Sequence, residues 1–162
     1  MGIEEQHRRV LDLVGHLYDA ALDDSLLPSL ATRIATCFEA QSTVVALRRV
    51  PTGIGAFVTQ TDNYSAKNVE AYNAHYWQTD VWAQRGADFG FGKIVASKDI
   101  VTDAELEHTE FHADWLREIG IFYLVGSVFA VSRDEIAILG IHRTRVSGGL
   151  ETRLFGGVAG GG

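Results

Sequence analysis

One cysteine, two prolines and one methionine are all that 162 residues contain of those types. The single Cys37 rules out an internal disulfide, and its apolar helical surroundings, Ile34 and Phe38, make a buried structural thiol the expectation. The longest apolar run, Ile121 to Val131, has eleven residues, too short to cross a bilayer as a helix and suited to a buried strand. Cations are scarce: 14 Lys and Arg against 21 Asp and Glu give a net charge of −7. Such a surface repels phosphate backbones and argues against nucleic-acid binding by these residues alone. The one dense basic spot, Arg48-Arg49, precedes a turn and reads as a solvated strand end. The opening Met-Gly-Ile-Glu-Glu-Gln has no cationic leader segment, so a cytoplasmic protein is the expectation.

What is present is an ordinary globular balance, 46 % apolar and 22 % charged, in a length that suits one domain with its own core. We place that domain at 1–146. The remainder, 147–162, carries seven glycines in sixteen residues and is expected to be a flexible tail. Residues 4 to 22 read as an amphipathic helix whose stripe is Val10, Leu11, Val14, Leu17, Tyr18, Ala21 and Leu22. A second helix follows, with Pro28 in its first turn and Leu27, Leu30, Ala31, Ile34 and Phe38 inward. From Ser42 the pattern turns β-branched, and Pro51-Thr52-Gly53 joins two strands, the second Ile54 to Gln60, into a hairpin. Ser65 N-caps a helix that carries Val69, Tyr72 and Tyr76. Gly86, Gly90 and Gly92 mark a loop, and a short strand is expected near Lys93 to Val95. Thr102-Asp-Ala-Glu105 is a capping box for a helical region that ends at Gly120. Ile121 to Val131, read as the central strand, and Glu135 to His142 make a closing hairpin, with Gly126 and Gly140 inside it. Hairpins at both ends with helices between them imply an α+β fold, an antiparallel sheet of about five strands with helices packed on it.

The densest chemistry is Tyr72-Asn-Ala-His-Tyr-Trp-Gln-Thr-Asp-Val-Trp82. On a continuous helix Tyr72, Tyr76 and Asp80 share one face, with Trp82 next to the acid. Two readings stand. Aromatics at helical spacing pack as core, and an Asp at a helix end bonds local backbone. Alternatively the rings and the carboxylate wall a small-molecule pocket.

Three stretches together carry a resemblance. Tyr72-x3-Tyr76-Trp77-x2-Asp80-x-Trp82 resembles the Tyr-rich helix and Asp-Pro-Trp of the N-terminal sensor domains of LuxR-type transcriptional regulators. Glu110-Phe-His-Ala-Asp-Trp115-Leu-Arg-Glu-Ile-Gly120 looks like a second stretch of those sensors, and Ala137 to Arg143 is similar to their last strand. Leu17-Tyr18-Asp19-Ala20-Ala21 also resembles their first helix. The resemblance implies a PAS/GAF-like, often homodimeric fold. It implies a small apolar or amphipathic signal molecule held by Tyr72, Tyr76, Asp80, Trp82 and Trp115. It implies no resident cofactor, no membrane contact, and DNA contact only through a helix-turn-helix domain that these residues lack. Val81 stands where the family has Pro, and Asn68 where autoinducer binders tend to have Trp, so members with unassigned ligands match better.

Other chemistries have less to draw on. His108 and His112 lie four apart, a zinc-compatible spacing without an evident third ligand. His75 and His142 are lone histidines, packed or exposed, with haem ligation the remote use. No serine sits in a nucleophile elbow. An Asp80/Tyr76 proton-transfer pair in an isomerase-like fold is the enzyme alternative, and a dimerisation module with a filled core is the ligand-free one.

Overall fold

The computed structural model describes residues 2–53 and 55–149. Ile54 and most of the glycine-rich tail, 150–162, lie outside the described residues. Helix α1 is Ile3–Leu22 and α2 is Leu27–Cys37, with Pro28 in its first turn. Strands β1 (Ser42–Arg49) and β2 (Gly55–Gln60) form the first hairpin. The middle of the chain supplies α3 (Ala66–Ala74), α4 (Val81–Gly86), the short β3 (Val95–Ala96), α5 (Ser97–Ile100) and α6 (Asp103–Glu107). A π-helical segment, Phe111–Leu116, runs into α7 (Arg117–Ile119), which Gly120 ends at φ 75°. Strands β4 (Tyr123–Ala130) and β5 (Glu135–Arg143) form the last hairpin. The sheet order is β2–β1–β5–β4–β3, antiparallel at every junction. The fold is therefore α+β with a five-stranded antiparallel sheet. Its central strand is β5 rather than the Ile121–Val131 region, because β1 pairs along the free edge of β5 from Ser42↔His142 to Arg49↔Glu135.

Alternation along the strands divides the residues between two faces. Val45, Val125, Leu139 and Ile141 meet Leu13, Leu30 and Ile34 of α1 and α2. Val44, Leu124 and the middle helices enclose an aromatic cluster on the other face, with Tyr64, Tyr72, Trp82, Phe111 and Trp115. The α2 layer is pinned by a buried bond from the Ala31 N–H to Thr59 Oγ1 at 3.1 Å. Asn63 ties the first hairpin to the last helical turn, donating to Ser42 Oγ at 3.0 Å and to the Ile119 carbonyl at 3.1 Å.

Four further expectations need correction. The long helix through Tyr76 stops at His75, where φ −141° and ψ −56° break it, and a 3₁₀ turn spans Tyr76–Gln78. The glycine loop starts late, since Gln84 to Gly86 still belong to α4 and Ala87–Phe89 is a further 3₁₀ turn. Cys37 is half-buried rather than buried. The apolar stripe of α1 does not face the core: Leu13 and Ala20 do, while Leu11, Tyr18 and Leu22 are exposed.

Candidate ligand-binding site

The site begins with a cap. Ser65 Oγ accepts from the Asn68 N–H at 3.1 Å and Asn68 Oδ1 accepts from the Ser65 N–H at 3.1 Å, which fixes the start of α3. The Asn68 carbonyl then accepts the Trp115 indole N–H at 2.9 Å, so α3 and the π-helical segment are joined through a buried bond. Tyr72 lies one turn further along α3, its ring 4.9 Å from that of Trp115. The π-helical segment brings Phe111 and Trp115 inward together, stacked at 5.5 Å and 17°.

The break at His75 repositions Asp80. Instead of ending one helix, it caps the next: Asp80 Oδ1 accepts from the Ala83 N–H at 2.9 Å. Asp80 Oδ2 accepts from the Tyr72 hydroxyl at 2.7 Å. That hydroxyl in turn accepts from Arg48 Nη2 at 2.5 Å. Arg48 is thus not a solvated strand end. Its guanidinium lies 5.6 Å from the Tyr72 ring and 5.8 Å from that of Trp77. Gly53 supports this arrangement, because any Cβ there would overlap the Trp77 ring. One oxygen of Asp80 makes the expected local cap, and the other joins a buried relay.

These groups border a cavity between the aromatic helices and the sheet. About 70 Å³ of it is open to the centre of a water molecule, so ordered water or a small group fits there. Tyr72, Asp80, Trp82 and Trp115 line the cavity, as does Tyr64. Tyr76 does not; it is half-buried behind Trp115 at 6.4 Å. The floor is the inward set of strand residues, including Val44, Leu124, Val128 and Gly140. Asp80 bonds Tyr72 and not Tyr76, so the proton-transfer pair of the isomerase alternative is not formed.

Sequence reasoning missed Arg48 and passed over His142. The period of two along β5 offered a signal for the latter, since Gly140 and His142 fall on one face. They belong together physically: a Cβ on Gly140 would sit 2.7 Å from His142 Nε2. The imidazole is buried, stacked 6.1 Å from Trp82, with Nδ1 3.4 Å from the Tyr64 hydroxyl.

Burial governs the titration of the site. It drives the His142 pKa down to about 3, so this ring is neutral at physiological pH. It pushes the Asp80 carboxyl up, against the opposing pull of the Ala83 N–H, the Tyr72 hydroxyl and the Arg48 charge. Burial and the neighbouring Asp80 raise Tyr72 well above the ordinary phenol value, so the phenol stays a donor. Two polar atoms of the lining residues are left over: the Trp82 indole N–H and the Ser127 hydroxyl are buried and have no hydrogen-bond partner among the described residues. No group of three or more His, Cys, Asp or Glu there is placed to hold a metal ion. His108 uses Nδ1 on the Ala104 carbonyl at 2.6 Å.

No family model matches the chain, and no curated protein matches it. Solved structures do. The VqsR LBD domain from Pseudomonas aeruginosa aligns with a TM-score of 0.65 at 13% identity, covering 82% of this chain and 78% of that one. The N-acylhomoserine lactone dependent LuxR family transcriptional factor CepR2 from Burkholderia cenocepacia aligns at 0.60 and 16% identity, over 90% and 83%. At these identities the likeness establishes a shared fold. No described helix is long and apolar enough to cross a membrane.

Proposed function

We propose that this chain is a small-molecule-sensing domain of a LuxR-type transcriptional regulator, PAS/GAF-like in plan, and not an enzyme. The observation that carries the reading is a buried acceptor and a buried, unpartnered donor bordering one aromatic cavity: Asp80 and the Trp82 N–H. A native protein rarely leaves a buried donor unpaired, and a ligand is the simplest partner for one in a cavity wall. The shared fold supports the same reading.

The ligand this site fits is compact and largely apolar, with a donor for Asp80 and an acceptor for Trp82. A charge-assisted bond to Asp80 contributes about 1.5–3 kcal/mol. Tyr72 and Arg48 hold the carboxylate in place, and Tyr64, Phe111 and Trp115 cover the apolar part. Tyr76 acts from behind Trp115. A ligand that binds only the folded domain stabilises it by about 2.7 kcal/mol at a hundredfold excess over its Kd. In this reading any contact with DNA is made by a part other than this domain, and the protein works in the cytoplasm.

Native mass spectrometry of freshly purified protein, followed by identification of what denaturation releases, tests the proposal. The expected result is a stoichiometric small molecule whose affinity falls about ten- to a hundredfold in Asp80→Asn. Protein that carries nothing, and whose melting no metabolite in a broad panel raises, would overturn it.

A further inference from the structure

The cavity extends across the sheet. Val44, Gly140, Gly126 and Val95 form one row of paired residues through β1, β5, β4 and β3, and all four line it. Three strand spacings make that row about 14 Å long. Its middle carries no side chain, because Gly126 and Gly140 face each other there. Neither position admits one: a Cβ would lie 2.7 Å from the Leu139 carbonyl oxygen at Gly126, and 2.7 Å from His142 Nε2 at Gly140. The floor at that point is backbone edged by His142, and the rings of Trp82, Phe111 and Trp115 complete the lining. A flat ring suits such a slot.

The two ends of the slot differ in charge. Asp80 and Lys93 are the lining residues whose side chains carry charge, since His142 is neutral. Asp80 belongs to the β1–β2 side, bonded to Tyr72, whose ring lies 5.5 Å from that of Phe57 in β2. Lys93 belongs to the opposite edge, two residues before Val95 of β3 and next to Gly92, whose N–H donates to the Val128 carbonyl at 2.8 Å. Helix α4 spans the interval: Asp80 caps it, Gly86 at its far end is again in the lining, and its six residues cover about 9 Å. Lys93 is exposed at this end and has no ion pair among the described residues. Like charge keeps an anion from Asp80, and opposite charge favours it at Lys93.

We propose, resting on the sensing role above, that the ligand is a flat aryl acid lying across the sheet, with a hydroxyl or N–H on Asp80 and its carboxylate on Lys93. Calorimetry with 3-(4-hydroxyphenyl)propanoic acid, its methyl ester and 3-phenylpropanoic acid separates the two ends. The hydroxy acid is expected to bind about fivefold more tightly than its ester at low ionic strength, and raising the salt to about 0.5 M should close that gap. In Lys93→Met, acid and ester should bind alike with melting unchanged. In Asp80→Asn, the hydroxy acid should lose its advantage over 3-phenylpropanoic acid while the gap to the ester remains. Equal binding of acid and ester by the parent, a gap that survives in Lys93→Met, or purified protein loaded with a neutral molecule would overturn the anionic assignment and leave the sensing role standing. Binding of none of the three by protein that also carries nothing would remove both.

Discussion

The same five strands serve two unlike faces. On the α1/α2 side, Leu13, Leu30, Ile34, Val125 and Ile141 are aliphatic and pack together. On the other side, alternate residues of those strands meet Tyr64, Tyr72, Trp82, Phe111 and Trp115, with buried Asp80 and His142 between them. Branched aliphatics interdigitate to native density, whereas rigid rings braced by fixed hydrogen bonds can stand apart and keep a gap open. The Asn68–Trp115 and Tyr72–Asp80 bonds are such braces. One face thus supplies stability, and the other gives some of it up for a void and two buried ionisable groups.

The largest effect that should separate the faces is a pH dependence from the hollow one. The folded-state pKa of His142 is about 3 against 6.5 in its ordinary state. The unfolded chain therefore takes up this proton first. The contribution is intact above about pH 6.5 and is lost at about 1.4 kcal/mol per pH unit as pH falls toward 3, about 5 kcal/mol in all. His112, also lowered by burial, acts in the same sense. Asp80, whose carboxyl is raised, acts in the opposite sense at the acid end and offsets part of the loss. Urea melts at stepped pH should show the slope, and His142→Gln should flatten it by close to one proton.

Next in size is a matched deletion. Leu30→Ala, in the α1/α2 layer, is expected to cost about 2–5 kcal/mol and leave ligand affinity alone. Leu124→Ala, beside the cavity, should cost less than half of that, because its side chain already lacks neighbours on one side. Equal losses at the two positions would break the comparison. Smallest is Trp82→Phe, which removes an unpaired N–H while keeping most of the ring. Stability should stay within about 1 kcal/mol of the parent, since relief of the buried donor offsets lost packing. Affinity for the bound molecule, followed by calorimetry, should fall.

Much of this was legible in the sequence. The two hairpins, the caps at Ser65 and Thr102, and the stop at Gly120 follow from local chemistry and are found. Four of the five residues expected in the pocket line one cavity. Tyr76 lies outside the lining because the helix breaks at His75, a backbone event with no proline or glycine to announce it. Arg48 was misread because its partner, Tyr72, is distant in sequence and close only after folding. Helix α1 teaches a further limit. Periodicity reveals an apolar stripe, but Leu11 and Leu13 both fit helical patterns, and only the packed neighbours decide which is inside.

Diffraction from crystals held under xenon pressure probes the hollow face most directly. The account predicts one ordered xenon site bounded by Tyr72, Trp82, Trp115 and Leu124, and none between α2 and the sheet. Xenon within the α2 layer, or no xenon beside the Tyr72–Asp80 pair, would contradict it.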